Sequence, residues 1–541
     1  MPKMFFPQYA RGRDGVDLVV GDTVLEHIRR IGGVEIDSEC GGQGICGRDI
    51  IRVDEGSESL APMTPAESRF LESGALRPGQ RLACQAEVAE DTQSIRVFIP
   101  DFGRYTILTE SIETDVELDP SVFRKDGRVL YRTGEDLGLY EGKILGLSID
   151  VGTTTLVMQV VDLETGENVG APIASKNPQI AYGNDVISRI GYAREHDGGL
   201  GELQEAVIDG VNKSLGELEK QLDVPQRSIA GCIYDVVAVG NSTMRSVFFG
   251  QNVHDLGVMP FEPANGAPLT RQAGALGLEL HPKAMAYGPA LIGGHAGADC
   301  LADIIATRLY ESEEIVMIVD IGTNGEVVIG NKDRMMTASC AAGGAYEGYQ
   351  IRCGVGAIEG AITEVQIVNG QAKYKTLGDK PALGVCGSGV IDLLAELLRN
   401  GVMDERARIQ EDYHLTDKVS ICQEDINQLI MAKAGLRTDQ DLLIQYRETT
   451  IEGVSKIYLA GAFGNYMNID NAMAIGLLPG GDKSKYVRFG NGALAGARDM
   501  LVSREKRADS ERLASVIEHT KPNELEGAEF QYMVADSIYF L

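Results

Sequence analysis

The chain has 541 residues and a formal net charge of −29, from 79 acidic and 50 basic side chains. This charge disfavours binding to nucleic acid or to an anionic membrane surface, because both carry phosphates that would be repelled. The length predicts two to four domains. The sequence shows no run of about 18 apolar residues and no apolar signal-peptide core, so we expect a cytoplasmic protein.

The first hundred residues are predicted to form a compact β-grasp domain. A strand is predicted over residues 17–20, and "GDTVLEHIRRIGG" reads as a short helix with Asp22 as its N-cap and with Leu25 and Ile28 on its apolar face. "DIIRV" and "SIRVFIP" predict further strands, and "TPAESRFLESGAL" has a helical pattern. A glycine-rich loop with two cysteines, "CGGQGICGRD", follows the first helix.

This loop contains Cys40 and Cys46, and Cys84 follows in the stretch "RLACQ". Glycines let a chain fold closely around an iron–sulfur cluster. The spacing resembles that of [2Fe–2S] ferredoxin domains, except that Asp49 stands where those domains have a third loop cysteine. Three interpretations stay open: Asp49 is the fourth iron ligand or a close neighbour, the fourth ligand is water or another group, or the domain lacks a cluster and Asp49 caps a turn.

Residues 101–144 are polar and are predicted to be a partly structured linker. The pattern then changes to an apolar strand, a turn of small residues and a second apolar strand in "KILGLSIDVGTTTLVMQVVD". About 170 residues later "EIVMIVDIGTNGEVVIG" repeats this order. Such a repeat predicts two similar halves, about residues 145–310 and 311–541.

The repeated kernel predicts a site for a nucleoside triphosphate. Its turns would present N–H groups and hydroxyls to phosphate oxygens, while Asp150 and Asp320 at the strand ends could hold hydrated Mg²⁺. Asp185 and Glu326 are further candidate catalytic acids that would orient the hydrolytic water or reach Mg²⁺, and each is alternatively a structural cap. The predicted phosphate-binding residues are Gly152, Thr153, Thr154, Thr155, Gly322, Thr323, Asn324 and Gly325.

Two further segments complete the predicted nucleotide site. "IYLAGAFGNYMNI" is a strand that ends in small residues suited to a nucleoside, and "GVCGSGVIDLLAELL" opens a helix whose N-terminus is available for polar contact. The residues concerned are Gly461, Ala462, Phe463 and Gly464 in the first segment, and Gly387, Ser388 and Gly389 in the second. The order of all four segments resembles the sugar kinase/Hsp70/actin ATPase superfamily, which implies a multidomain α/β and α+β chain with a duplicated ribonuclease H-like ATPase.

A more specific resemblance covers nearly the whole chain. "NPQIAYGNDVISRI", "VGNSTM", "GADCLADIIAT", "DIGTNGE" and "CGSGVIDLLAELL" occur together in the reductive activators of corrinoid proteins. The resemblance implies an ATP-dependent activase that reduces inactive Co(II) to Co(I) by one-electron transfer, in a methyltransferase or O-demethylase system. The implied cofactors are a [2Fe–2S] cluster, ATP and Mg²⁺. The implied partners are a corrinoid protein and an electron donor, and a homodimer is left open.

Three other functions are alternatives to this one. An activator of another low-potential enzyme is one alternative, although activators that hold a cluster between two ATPase subunits lack a ferredoxin domain. A small-molecule kinase with a fused redox domain would need a base directed at a substrate hydroxyl. An Hsp70-like binding module would need a peptide-binding domain after the ATPase, and the sequence shows none. ATP-dependent Co(I) formation would separate these alternatives.

Overall fold

The structure is a computed structural model that describes residues 2–6, 14–31, 36, 38, 41–45, 47, 49–72, 76, 79–90, 93–99, 114–183, 185–340, 345–346, 351–464, 466–520 and 529–540. Cys40 and Cys46, the two predicted loop ligands, lie outside the described residues, as does the first part of the predicted linker. Among the described helices, none has the length and apolar character needed to cross a lipid bilayer.

The N-terminal unit is a mixed sheet with two helices. Its elements are β1 Lys3–Phe5, β2 Val16–Asp17, α1 Val24–Ile31, β3 Ile50–Glu55, α2 Pro65–Glu72, β4 Gln80–Leu82 and β5 Ile95–Phe98. Within the described residues the strand order is β2-β1-β5-β3-β4, with β1 and β5 parallel. Leu25 and Ile28 of α1 are buried in its core, as their helical spacing predicts. This architecture confirms the predicted β-grasp domain.

The prediction of Asp22 as N-cap of α1 was wrong. Thr23 immediately precedes the helix: its N–H donates to Glu26 Oε2 at 2.5 Å, and the Glu26 N–H donates to Thr23 Oγ1 at 3.3 Å. These reciprocal bonds form a capping box, which satisfies two N–H groups where a lone aspartate would satisfy one. Asp22 forms an ion pair with Arg30 instead.

The described part of the predicted linker contains a folded sheet. Its antiparallel strands are β6 Val122–Lys125, β7 Arg128–Tyr131 and β8 Asp136–Leu139. Asp126 and Gly127 form the β6–β7 turn with φ of 50° and 74°, as in tight hairpins that favour Asp-Gly. Each strand contributes one buried apolar side chain to the core shared with the two halves: Val122, Val129 and Leu137. This segment is therefore packed onto the rest of the protein.

The first of the two predicted halves contains a six-stranded sheet with helices around it. Its elements are β9 Leu145–Val151, β10 Thr155–Asp162, β11 Ile173–Lys176, α3 Val186–Glu195, α4 Gly199–Gln221, β12 Ile233–Val239, α5 Ser242–Phe248, β13 Leu269–Gln272, β14 Met285–Gly288 and α6 Ala298–Thr307. The strand order is β11-β10-β9-β12-β14-β13. Long apolar runs such as β9 and β12 are covered on both faces, which explains why their residues do not alternate with polar ones.

The second half has its own six-stranded sheet, in the order β24-β23-β15-β16-β17-β25. The strands of the whole second half, which also include those of two smaller sheets, are β15 Val316–Ile321, β16 Gly325–Gly330, β17 Met335–Cys340, β18 Ala361–Val368, β19 Gln371–Thr376, β20 Gly384–Val385, β21 Tyr413–His414, β22 Ser420–Ile421, β23 Lys456–Ala460, β24 Tyr486–Gly490 and β25 Glu518–His519. Its helices are α7 Gly387–Arg399, α8 Gln423–Tyr446, α9 Gly461–Gly464, α10 Ile469–Ala474, α11 Gly492–Val502, α12 Arg504–Ala514 and α13 Glu529–Ile538.

The two large sheets share the topology of five of their six strands, which confirms the predicted duplication, whereas the sixth strand lies beside β14 in the first sheet and beside β17 in the second. In each sheet an antiparallel meander (β9 to β11, and β15 to β17) adjoins two parallel strands (β12 and β14, and β23 and β24). Helices α6 and α11 cross between the halves. A Cβ on Gly496 would lie 2.0 Å from the carbonyl oxygen of Ala302, so this close crossing requires glycine. The carboxyl ends of β9 and β15 lead into two hairpins that contact each other between the halves, and we call this region the cleft.

Candidate functional site

The two predicted phosphate hairpins meet in this cleft. Residues 152–154 connect β9 to β10, residues 322–324 connect β15 to β16, and Thr154 Oγ1 lies 2.9 Å from Thr323 Oγ1. Two asparagine side chains bond to the first hairpin: Asn241 Nδ2 donates to Thr153 Oγ1 at 2.9 Å, and Asn177 Nδ2 donates to the Gly152 carbonyl at 2.8 Å. The turns therefore direct small residues, N–H groups and hydroxyls into one shared space, which suits phosphate oxygens.

Asp150 and Asp320 occupy equivalent positions, each one residue before the end of its strand. Asp150 Oδ2 accepts a hydrogen bond of 2.8 Å from Asn491 Nδ2. A Cβ on Gly461 would lie 2.5 Å from Asp320 Oδ1, and Gly461 has φ of 82°, so only glycine allows β23 to turn here against the carboxylate. The structure thus brings the two predicted acids and the predicted nucleoside segment to one cleft.

Removal from water raises the pKa of both acids. Burial raises the pKa of Asp150 to about 7, against the opposing hydrogen bond from Asn491, and the charge of Asp320 adds to the rise. Burial likewise raises the pKa of Asp320 to about 6. Carboxylates that repel each other in a desolvated cleft favour a bound cation, because a cation stabilises the ionised form.

Glu326 and Asp185 have different environments. Glu326 lies opposite Asp320 in the β15–β16 pairing and is buried, and burial together with the charges of Asp299 and Asp320 raises its pKa well above the usual range. Asp185 is the N-cap of α3: its Oδ1 accepts from the Ser188 N–H at 2.7 Å, and its Oδ2 accepts from Ser188 Oγ at 3.0 Å. Glu326 therefore faces the cleft. Asp185 caps a helix, which is the second of the two roles that the sequence allowed for it.

Sequence reasoning missed two acids on α6. Burial raises the pKa of Asp299 to about 7, and the charges of Asp150 and Asp320 contribute to this rise. Asp303 is 1% exposed, and burial with the charge of Asp320 raises its pKa well above the usual range. Both acids lie within the quoted stretch "GADCLADIIAT", but only the crossing of α6 and α11 shows that they reach the same cleft. Asn241 and Asn491, which hold Thr153 and Asp150, were missed for the same reason.

The donor set suits a hydrated Mg²⁺ rather than a metal enclosed by protein. Among the described residues, no group of three or more His, Cys, Asp or Glu side chains is arranged to coordinate a metal directly. Mg²⁺ commonly keeps several waters and binds through one or two carboxylates together with substrate phosphates. Asp150 and Asp320 beside the phosphate hairpins fit that mode.

The remaining predicted nucleotide residues lie on two elements of the second half. Gly461 and Gly464 bound the short helix α9, in which the side chains of Ala462 and Phe463 lie outside the described part of the chain. Gly387, Ser388 and Gly389 begin α7, which has no side-chain N-cap bond. A Cβ on Gly389 would lie 2.3 Å from the Ile362 carbonyl oxygen, and Ser388 Oγ donates to the Thr363 carbonyl at 3.0 Å, so this start also packs tightly on β18.

The described part of the cysteine loop wraps around Cys84. Its glycines have the left-handed φ that the close wrapping requires: Gly41, Gly42, Gly44 and Gly47. A Cβ on Gly47 would lie 2.5 Å from the Phe70 ring. Asp49 is 1% exposed, and its Oδ2 accepts the Cys84 N–H at 2.6 Å. The two described donors, the Cys84 thiol and the Asp49 carboxylate, are thus both buried next to this glycine-rich loop, and their chemistry suits an iron–sulfur cluster.

Family comparisons cover the chain in three parts. Residues 314–539 match a family model described as the C-terminal domain of RACo, the ASKHA domain, and residues 145–312 match the RACo middle region. Residues 12–89 match the 2Fe-2S iron-sulfur cluster binding domain. The family model that covers residues 12–89 supports the cluster type that the cysteine spacing predicts.

Individual relatives extend these matches. The chain is 30% identical over 431 residues to the corrinoid activation enzyme RamQ of Eubacterium limosum, covering 74% of this chain and 72% of the relative. It is 26% identical over 410 residues to the [Co(II) methylated amine-specific corrinoid protein] reductase of Methanosarcina barkeri, covering 69% of this chain and 72% of the relative. A solved structure of a reductive activator for corrinoid, iron-sulfur protein is 27% identical, with a TM-score of 0.72, and covers 100% of this chain and 98% of its own.

Proposed function

The chain belongs to the RACo family of reductive activators of corrinoid proteins, and from this membership we propose that it uses ATP to drive reduction of a corrinoid protein from inactive Co(II) to Co(I). One observation carries the proposal: a ferredoxin-type domain and a two-hairpin phosphate cleft stand in one chain. An ATPase alone has no one-electron carrier, and a ferredoxin alone has no energy source. This chain combines both.

ATP is needed because the electron transfer is uphill. A plant-type ferredoxin works at roughly −400 mV. We expect corrinoid Co(II) to accept an electron only at a lower potential. Each ~59 mV of a one-electron step corresponds to ~1.4 kcal/mol. Nucleotide binding and hydrolysis can supply this free energy if they change the contacts between the activator and its partner, since a ligand shifts an equilibrium by its difference in affinity for two states.

The roles of the chain's own residues follow from their positions. The hairpins at residues 152–155 and 322–325 would hold the triphosphate, while Asp150 and Asp320 would order the waters of Mg²⁺. Glu326 would face the hydrolytic water. A cluster held by Cys40, Cys46, Cys84 and Asp49 would supply single electrons. An external donor must restore each electron, and we expect the partner to belong to a methyltransferase or O-demethylase system. Cytoplasmic location and homodimer formation stay predictions.

The test is cobalt reduction followed by absorbance. Full-length protein, a Co(II) corrinoid protein and a chemical reductant should give the Co(I) spectrum when MgATP is added. Omission of nucleotide, or its replacement by the non-hydrolysable analogue AMP-PNP, should prevent net turnover. Equal rates with and without ATP would contradict the proposal, and phosphorylation of a small molecule at the same site would favour the kinase alternative.

A further inference from the structure

The N-terminal unit contacts the first ATPase half through Arg29 of α1. The Arg29 guanidinium carbon lies 5.2 Å from the centre of the Tyr182 ring and 4.9 Å from that of Tyr192. Its Nε and Nη2 both donate to the carbonyl oxygen of Ala181, at 3.0 and 2.8 Å. Both tyrosines are buried and belong to the same apolar cluster as the core of the β-grasp domain. Arg29 therefore combines two cation–π contacts with two hydrogen bonds.

The surface that receives Arg29 is acidic. Tyr192 donates its hydroxyl to Glu202 Oε2 at 2.5 Å. Burial raises the pKa of Tyr182 to about 12, and the nearby carboxylates of Glu202, Glu205 and Asp209 contribute to this rise. The positive charge of Arg29 is thus complementary to the negative charge of this surface.

The contact lies beside the cysteine loop. A Cβ on Gly41 would have the Tyr182 carbonyl oxygen as its nearest neighbour, at 3.9 Å. The turn that binds Arg29 therefore also lies against the cysteine loop at Gly41, which follows the predicted iron ligand Cys40. Release of Arg29 would uncover the loop at Gly41.

The same turn is bonded to the first phosphate hairpin. Ala181 ends the short 3₁₀ helix Pro178–Ala181, whose N-cap Asn177 donates to the Gly152 carbonyl at 2.8 Å. Arg189 makes the second link, because its Nη2 donates to the Thr153 carbonyl at 2.6 Å. The described residues 177–183 and 185–190 thus join the Arg29 contact to the phosphate hairpin.

Arg189 also donates hydrogen bonds to two residues that flank Ala181. It is fully buried, its Nε donates to the Gly183 carbonyl at 2.8 Å, and its Nη1 donates to Gln179 Oε1 at 3.0 Å. Burial lowers its pKa to about 9, which leaves the guanidinium charged at neutral pH. A displacement of the Thr153 carbonyl must therefore move this guanidinium or break its bonds to the turn next to Ala181.

We propose that Arg29 is a positioning residue that holds the iron–sulfur domain on the ATPase, and that triphosphate binding weakens the contact between Arg29 and the ATPase. The Thr154 and Thr323 hydroxyls touch, so a phosphate entering between the hairpins must separate them and shift residues 152–154. The shift passes through Asn177 and Arg189 to Ala181 and weakens the Arg29 contact, which frees the cysteine loop for the corrinoid partner. This inference rests on the proposed function and adds the nucleotide control of docking to it.

The test exploits the reciprocity of linked equilibria. If nucleotide weakens docking, loss of docking must strengthen nucleotide binding by the same factor. We expect the full-length Arg29→Gln protein to bind Mg²⁺–AMP-PNP about fivefold more tightly than wild type by calorimetry, and Arg29→Lys to be intermediate. The matched control is Arg52→Gln, because Arg52 stacks on Phe98 at 4.2 Å within the same domain and away from the ATPase. This variant should bind the analogue like wild type.

A second measurement needs no substitution. Mg²⁺–AMP-PNP should increase hydrogen exchange at the amides of α1 and of residues 181–183 in the wild-type protein. Unchanged exchange there, or equal or weaker nucleotide binding by Arg29→Gln, would overturn the inference. If these results come from wild-type protein that binds the analogue and reduces cobalt with ATP, only the docking inference fails. Failure of wild type to bind the analogue would overturn the proposed function as well.

Discussion

Thr154 Oγ1 lies 2.9 Å from Thr323 Oγ1, although 169 positions separate the two residues in the chain. Each threonine comes from one copy of the repeated kernel. The contact shows that the repeat builds one site with two walls rather than two separate sites. Nucleotide affinity should therefore depend on both walls.

Replacing Thr323 by Val should weaken ATP binding about tenfold or more, since a hydrogen bond to a charged phosphate is worth about 1.5–3 kcal/mol. The matched control is Thr165→Val, in the exposed turn after β10. Calorimetry with Mg²⁺–AMP-PNP measures both changes. Wild-type affinity in Thr323→Val would show that this hydroxyl does not contact the triphosphate.

Asp150→Asn and Asp320→Asn should each abolish most ATP turnover. Each change removes a charge that orders the waters of Mg²⁺ beside the phosphates, and a loss of about 3–4 kcal/mol in transition-state stabilisation is expected. Asp162→Asn is the control, because Asp162 caps a turn at the far end of β10. Phosphate release with the corrinoid partner present is the measurement, and normal rates in either cleft variant would place the nucleotide elsewhere.

The cleft acids also predict a pH dependence of stability without Mg²⁺. The pKa of Asp150 and Asp299 is raised to about 7 and that of Asp320 to about 6, so the folded protein holds protons that the unfolded chain releases near pH 4. Stability from these groups is present at low pH and is lost as pH rises through about 6 to 7. The melting temperature should fall between about pH 5.5 and about pH 8, and Mg²⁺ with AMP-PNP should reduce the fall. A rising melting temperature over this window would contradict the assignment.

Asp49→Cys should retain iron and raise the reduction potential of the cluster. A carboxylate oxygen is a harder ligand than a thiolate and favours Fe(III), so its replacement makes reduction easier if Asp49 ligates iron. Asp54→Cys is the control, because Asp54 lies on β3, which follows Asp49, and pairs with Arg52 near the surface. Iron content and redox titration are the measurements. An unchanged potential with full iron content would assign Asp49 to hydrogen bonding at Cys84 alone.

The sheet of residues 122–139 should be coupled to the stability of the ATPase through Asp235. Asp235 is fully buried, accepts from Arg507 Nη2 at 2.8 Å and receives the Tyr131 hydroxyl at 3.4 Å. Asp235→Asn leaves Arg507 without its counter-charge and should cost about 3–5 kcal/mol in urea unfolding. Asp136→Asn is the control: its pair with Arg128 is about half exposed and screened by water, so its loss should cost far less than that of the buried pair. Equal costs would contradict the buried-pair argument.

Local signals explain which elements could be predicted. The strands around the two kernels are continuous apolar runs, and the hairpins between them contain the small residues that tight turns need, so neither depends on distant contacts. The helix cap at Thr23 and the Asp126-Gly127 hairpin also have local signals, a Thr-x-x-Glu box and an Asp-Gly turn.

By itself, the sequence determined the two halves, the ferredoxin-like domain and the aspartates at the strand ends, because each is encoded within a short stretch of chain. Only the tertiary structure decided which further residues join them. Asp299, Asp303 and Asn491 reach the cleft through the crossing of α6 and α11, and Arg29 reaches Ala181 across 152 positions. Such contacts depend on packing between surfaces that are distant in sequence, and no local pattern specifies them.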